Sequence, residues 1–212
     1  MPLGKIHEKS YNKVAQEYNA KFNKNLKIQT RVLKNFKHLL EKRFPNEKIK
    51  ILDIGCGVGV DLKVLDDKKY ILKGLDLSKE MIKFAKRNVP NAKFEIGDLK
   101  KIKTSENFHG IICDAFIHLF KKNEVKSILN KIKKMLKSRG IIFISTTKHL
   151  FSKEGFFKKE DYVKKVKRFR KFWTEEEFSN FIKENKFKIL DVNYEEQPNS
   201  TNLWMNYTIS LN

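Results

Sequence analysis

Lys50-Ile-Leu-Asp53-Ile-Gly55-Cys56-Gly57-Val-Gly59-Val-Asp61 decides how this chain is read. Ile49, Ile51, Leu52 and Ile54 form an apolar run too short for a helix and rich in β-branched side chains, which predicts a buried strand. The strand runs directly into alternating glycines at 55, 57 and 59. Glycine tolerates positive φ and lets backbone approach a ligand closely. An acid at the strand tip followed by such a turn suits a small polar, nucleotide-like ligand.

What is missing narrows the ligand. No Gly-Lys-Ser/Thr follows the turn, so a phosphate-cradling P-loop is excluded. A dinucleotide fingerprint counted from Gly55 needs a small residue where Val60 stands. A pyrophosphate would also be repelled by the Asp53 carboxylate. An acid there suits an ammonium group, which S-adenosylmethionine (SAM) carries beside its sulfonium. The plain alternative is a glycine turn that serves only packing.

Two further acids weigh against that alternative. Residues 70–76, YILKGLD, predict a second strand ending in Asp76, 23 positions after Asp53. An acid at the neighbouring strand tip, roughly 20 residues on, is where a doubly wound fold reads ribose hydroxyls. Ser78 reads as the N-cap of the next helix. Residues 92–98, AKFEIGD, predict a third strand ending in Asp98, placed to accept from an adenine amine with Leu77 and Leu99 flanking the ring. Either acid alone is an ordinary loop residue; three in order are hard to attribute to chance.

Asp53-x-Gly-x-Gly-x-Gly, Gly74-Leu-Asp76-Leu-Ser78 and Gly97-Asp98 together resemble the class I SAM-dependent methyltransferases. The likeness continues through Phe108-His-Gly-Ile-Ile-Cys-Asp114-Ala-Phe-Ile-His118, similar to the fourth motif, and through Leu136–Ser145 and Phe172-Trp-Thr-Glu-Glu-Glu. Tyr11-Asn-Lys-Val-Ala-Gln-Glu-Tyr18 resembles the N-terminal helix whose tyrosine closes over the cofactor. The resemblance implies one α/β domain over residues 1–212, a doubly wound, mostly parallel, Rossmann-like sheet of seven strands. Its last strand would be antiparallel beside the fifth. A helical cap over 1–45 leads in, and an insertion over 148–173 forms a lid above the acceptor. It implies SAM as cofactor and S-adenosylhomocysteine as product, with contacts from Asp53, Gly55, Cys56, Gly57, Gly59, Asp76, Leu77, Asp98, Leu99, Asp114, Tyr11 and Tyr18. Where the acceptor is a hydroxyl or ammonium, a base must take its proton. His118 is the first candidate and His149 the second; a lone histidine in either place also has a structural reading. His109, at the start of a strand, should be structural.

The remaining elements follow from spacing. Residues 10–44 predict two helices closed by Pro45. Helices are expected at about 59–67, 78–89, 121–137 and, from a Thr174/Glu177 capping box, to Glu184. Strands are expected at 108–114, 140–147, 187–194 and 203–211. At 212 residues the chain is long enough for a full single core. There is no 18-residue apolar run and no apolar signal core, which predicts a cytoplasmic protein without a membrane span. Cys56 and Cys113 read as small buried hydrophobes, and no zinc spacing appears, so no metal is expected.

The 46 Lys and Arg against 25 acids give a net charge of +21. Such an excess is an electrostatic footprint for RNA or another anionic surface, so RNA stands as an alternative partner. Yet lysine dominates and is spread along every helix, the pattern of a solvated surface. The densest stretch, Lys148–Lys171, carries ten Lys/Arg against three acids, interleaved with Phe151, Phe156, Phe157, Tyr162 and Phe169. It reads either as a nucleic-acid patch or, preferred, as a lid with Phe156, Phe157, Tyr162 and Val163 inside and lysines outside. Methyltransferases that act on exocyclic base amines resemble one another in an Asn/Asp-Pro-Pro-Tyr/Phe stretch after the fourth strand, where this chain reads Asp114-Ala-Phe-Ile. It also lacks the Pro-Cys nucleophile of those that act on carbon-5 of pyrimidines; the resemblance therefore implies neither acceptor. The expectation is therefore O- or N-methylation of a small molecule. The alternatives are a tRNA- or rRNA-modifying enzyme and a non-catalytic SAM-binding partner subunit.

Overall fold

The computed structural model describes residues 2–103, 105–159, 163–196 and 203–212. Three helices lead in, α1 (Leu3–Ala20), α2 (Phe22–Val32) and α3 (Lys34–Arg43). The expected two helices over 10–44 are thus three, starting earlier. The breaks fall at Lys21 and Leu33, whose near-helical backbone (φ −93°, ψ 4° and φ −84°, ψ 0°) lets the chain turn without proline or glycine.

Strands and helices then alternate: β1 (Ile49–Ile54), α4 (Val60–Val64), β2 (Tyr70–Asp76), α5 (Lys79–Asn88), β3 (Lys93–Ile96) and β4 (Phe108–Cys113). After a short 3-10 turn at Ile117–Leu119 come α6 (Lys122–Met135) and β5 (Leu136–Lys148). The chain continues through β6 (Lys153–Lys159), β7 (Val166–Phe172), α7 (Glu175–Glu184), β8 (Phe187–Glu196) and β9 (Leu203–Leu211). The main sheet has seven strands in the order β3-β2-β1-β4-β5-β9-β8. Strands β1 to β5 are mutually parallel, and β9 lies antiparallel between β5 and β8, as expected. Strand order reverses between β1 and β4, the place where open α/β sheets bind ligands beyond the carboxyl ends of their strands.

Sequence-level caps form as read. Ser78 Oγ accepts from the Met81 amide at 3.1 Å, and Thr174 Oγ1 accepts from the Glu177 amide at 3.1 Å; such caps contribute about 1 kcal/mol each. The core lies on both faces of the sheet. One face packs Ile111, Ile142 and Ile144 against Ile128 and Ile132 of α6. The other packs Ile49, Ile51 and Phe143 against Phe36 and Leu40 of α3. Cys56 and Cys113 are buried free thiols.

Within the stretch 148–173, β6 pairs antiparallel with β7 as a two-stranded hairpin, from Lys153 opposite Phe172 to Lys159 opposite Val166. Its base is tied to the tip of β5, where the His149 amide donates to the Trp173 carbonyl at 2.9 Å. Phe156 and Val163 were expected on its inner side; instead they are 46% and 92% exposed. Tyr162 lies outside the described residues. Among the described residues, no helix is long and apolar enough to cross a membrane.

Candidate functional site

Beyond the β1 tip, Gly55, Gly57 and Gly59 all take positive φ, 80°, 51° and 86°. The Gly57 amide donates to Asp76 Oδ2 at 3.0 Å, and the Ser78 amide donates to Asp76 Oδ1 at 2.7 Å. Asp76 therefore ties the loops after β1 and β2 together. A Cβ on Gly55 would lie 2.7 Å from the Phe116 ring, so only glycine admits that ring. A Cβ on Gly57 would meet nothing within 4 Å. Gly57 opens onto a cavity of about 900 Å³ enclosed by the strand tips, the N-terminal helices and the hairpin.

Asp61, Asp76, Asp98 and Asp114 line this cavity; Asp53 does not. Asp53 is 1% exposed, and among the described residues neither of its carboxylate oxygens has a hydrogen-bond partner. It lies behind the glycine turn, and the acids that face the cavity near it are Asp61, which sequence reasoning missed, and Asp114. Gln29 of α2, also missed, donates through Nε2 to Asp61 Oδ1 at 2.5 Å and to Asp114 Oδ2 at 3.0 Å. Burial, then the neighbouring carboxylates, pushes Asp53 and Asp61 well above the usual carboxylate range. Burial also raises Asp76, and takes Asp114 up to about 6. Buried carboxylates that repel one another favour a cation placed among them.

The neighbouring wall is apolar, with Leu77, Leu99, Phe116 and Phe120, and Asp98 sits beneath α1 with its Oδ2 3.7 Å from a Cβ built on Gly4. Cys56 lines the cavity too. Gly59 does not; it opens α4 against Ala85 and Val89. Tyr11 and Tyr18 both reach the cavity, edge to face with centroids 5.9 Å apart. His7 was not foreseen. It is buried, lines the cavity and bonds the Leu119 carbonyl through Nε2 at 3.0 Å. Burial holds it near pKa 4, so at neutral pH it is uncharged and Nε2 donates.

At the β4, β5 and β9 end stand His118, Thr147, Trp204 and Asn206, all cavity-lining. His118 is 1% exposed, its Nδ1 3.5 Å from Thr146 Oγ1. His149 is not in the cavity wall: it stacks on Phe172 at 4.1 Å and bonds Thr147 Oγ1 through Nε2 at 2.8 Å. His109 lies at the opposite end of the sheet, as expected. Its Nδ1 accepts from the Lys50 amide at 2.8 Å, so Nε2 carries the proton and donates to Glu47 at 3.1 Å. Arg168 and Arg170 of β7 and Lys158 of β6 complete this wall. Among the described residues, no cluster of His, Cys, Asp or Glu is arranged to hold a metal ion.

Comparison with known proteins agrees with this geometry. Residues 45–201 match the family described as a methyltransferase domain. Malonyl-[acyl-carrier protein] O-methyltransferase of Acetivibrio thermocellus is 26% identical over 180 residues, 83% of this chain and 61% of that protein. dTDP-3-amino-3,6-dideoxy-alpha-D-glucopyranose N,N-dimethyltransferase of Streptomyces fradiae is 26% identical over 107 residues, 50% of this chain and 42% of that protein. The chain spans about half the length of the curated relatives it matches. Magnesium protoporphyrin IX methyltransferase of Synechocystis PCC 6803, solved with bound SAM, shares the fold. Its TM-score is 0.72 at 13% identity, over 100% of this chain and 98% of that one.

Proposed function

The chain belongs to the SAM-dependent methyltransferases, and from that premise we propose that it moves a methyl group to an oxygen or nitrogen of a small molecule. The observation that carries the reading is the acid-lined hollow in front of Gly57, where Asp61, Asp76 and Asp114 meet open space at the point where strand order reverses.

The residues fit the cofactor. Asp61 and Asp114 would hold its ammonium, and Asp76, already held by two backbone amides, would take the ribose hydroxyls. Leu77 and Leu99 would flank the adenine and Asp98 accept from its amine. Bound SAM supplies a methyl group already activated on a sulfonium. The protein's own work is then chiefly alignment of the acceptor, a contribution that reaches several kcal/mol in well-oriented systems. His118, at the acceptor end of the cavity, would take the proton of an incoming hydroxyl or ammonium. Tyr11 and Tyr18 would close the cofactor side, and the β6–β7 hairpin would cover the acceptor side. The names of the two curated relatives, one an O-methyltransferase and one an N,N-dimethyltransferase, support an O or N acceptor.

The test is transfer of a radiolabelled methyl group from SAM into host extract, with and without RNase. Label that survives RNase and passes a small-pore filter is the expected result. RNase-sensitive label would replace the small molecule with RNA. SAM binding by calorimetry without any label transfer would point to a cofactor-binding partner subunit.

A further inference from the structure

We propose that Asn206 is a specificity-determining residue of the acceptor site, whose side-chain amide oxygen takes a hydrogen bond from a hydroxyl or N–H of the acceptor other than the group that is methylated. This rests on the methyltransferase reading, because it assigns a residue in the acceptor half of the same cavity.

The register of the sheet sets Ser145 of β5, Asn206 of β9 and Asn193 of β8 side by side in one row. Side chains directly opposite across antiparallel strands share a face. Ser145 and Asn206 both line the cavity, and Asn206 is 2% exposed. Thr147 and Trp204, an opposed pair two residues along, line it on the same face. The hydrogen bonds fix which way each amide is turned. Asp191 Oδ2 accepts from Asn193 Nδ2 at 3.4 Å and from Asn35 Nδ2 at 3.3 Å. Asn193 thus keeps its Oδ1 for Asn206, whose Nδ2 donates to it at 3.0 Å. Reversing either amide would set two oxygens against each other. The Asn206 oxygen is therefore turned away from Asn193, and among the described residues no donor reaches it. Its neighbour on β5, the Ser145 hydroxyl, bonds Asp114 instead.

Strand order selects the acceptor as the partner of this oxygen. β9 lies two places beyond β4, on the side away from β1 and β2, whose tips carry Gly57 and Asp76. The outer wall here holds charges of both signs, Arg168, Arg170 and Lys158 with Glu195 and Glu196, so charge alone ranks no acceptor. The Asn206 oxygen does, because it can only accept. A polar atom left unpaired in a nearly sealed wall costs free energy, and a ligand donor recovers it. An analogue with an ether or a tertiary amine in that place leaves the oxygen unpaired, and sites of this kind reject such analogues strongly. An amide oxygen is too weak a base to take the proton. The group it holds is therefore a handle kept in the product, and the methylated atom is another oxygen or nitrogen of the same molecule.

The test uses the small-pore filtrate of RNase-treated host extract, with radiolabelled SAM held at saturation. Asn206→Leu should raise the filtrate concentration that gives half-maximal label at least tenfold. Its S-adenosylhomocysteine affinity by calorimetry should stay within twofold, which shows that it folds. Asn193→Leu frees the Asn206 amide to turn and should raise the same concentration about threefold. Because Asn193 acts through Asn206, the double variant should match Asn206→Leu alone. The labelled product of the unaltered protein should carry a hydroxyl or N–H besides the atom that received the methyl group. Half-saturation within twofold in Asn206→Leu, additive effects in the double variant, or a product without such a donor would each overturn the proposal alone. So would a loss of S-adenosylhomocysteine affinity that matches the shift. Should Asn206→Leu not fold, Asn193→Leu and the structure of the product decide. Failure of the unaltered protein to bind S-adenosylhomocysteine or to transfer label would overturn the methyltransferase reading and this proposal with it.

Discussion

Gln29 reaches across from α2 to set its side-chain amide 3.0 Å from Asp114, and the same nitrogen donates to Asp61. One neutral amide thus bridges two carboxylates that would otherwise repel, and pins the helical cap to the strand tips. Gln29→Ala removes both bonds and should lower the stability of the ligand-free protein by about 1.5–3 kcal/mol, the range for hydrogen bonds to charged groups. Denaturant unfolding with an unchanged midpoint would show that the bridge contributes nothing.

Gly57 and Gly55 should separate binding from folding. A side chain on Gly57 enters open cavity, so Gly57→Val should keep the fold, at a cost of about 2 kcal/mol for a β-branched residue at positive φ, and abolish SAM binding. A Cβ on Gly55 would strike the Phe116 ring, so Gly55→Ala should lower the melting temperature first. Equal SAM affinity in Gly57→Val and the unaltered protein would refute the cavity as the cofactor site.

Asp76 holds its place through the Gly57 and Ser78 amides, which leaves the carboxylate preorganised. Asp76→Ala removes a charged contact and frees both loops. SAM affinity measured by calorimetry should fall tenfold or more, about 1.5–3 kcal/mol. An unaltered dissociation constant would rule out the ribose contact.

Cofactor affinity should also depend on pH. Burial lifts the Asp114 carboxyl to about 6, and raises Asp61 well above its usual range. A cation binds the ionised carboxylates, so at low pH binding must expel a proton. Affinity should therefore rise with pH, by up to tenfold per unit while one proton is released, and level off once both carboxyls are ionised. Stability of the ligand-free protein has the opposite sign. These groups hold protons in the folded chain at pH values where the unfolded chain has lost them, so stability falls as pH rises from about 4 through the folded-state pKa values. Calorimetry from pH 5 to 9 showing constant affinity would exclude the acid pair as the ammonium site.

The glycine turn, the strand-tip acids, the sheet and both helix caps were legible because each depends on local signals, a short apolar run, a turn residue, a capping side chain. What escaped depends on distance or direction. Gln29 meets Asp114 across 85 residues, and nothing near either marks the pairing. The hairpin was hidden because both faces of β7 are buried in part: Phe169 on one and Arg168 on the other. With cations taking inward positions, the apolar–polar alternation that marks a strand is lost. The break at Leu33 was invisible because that residue is itself fully buried, so the helical pattern runs on through it.

Asp53 and Asp61 show the same limit and give the sharpest test. A central parallel strand is apolar on both sides, so the pattern around Asp53 does not reveal which way its carboxyl points. The structure turns it inward, without hydrogen-bond partners among the described residues and with its pKa driven up by burial, while Asp61 faces the cavity. A carboxyl held neutral by its surroundings is mimicked well by an amide. Asp53→Asn should therefore change SAM affinity less than about twofold, whereas Asp61→Asn should weaken it about tenfold, the loss of one charged contact. The reverse ranking by calorimetry would return the ammonium to Asp53 and move the cofactor one strand turn deeper into the fold.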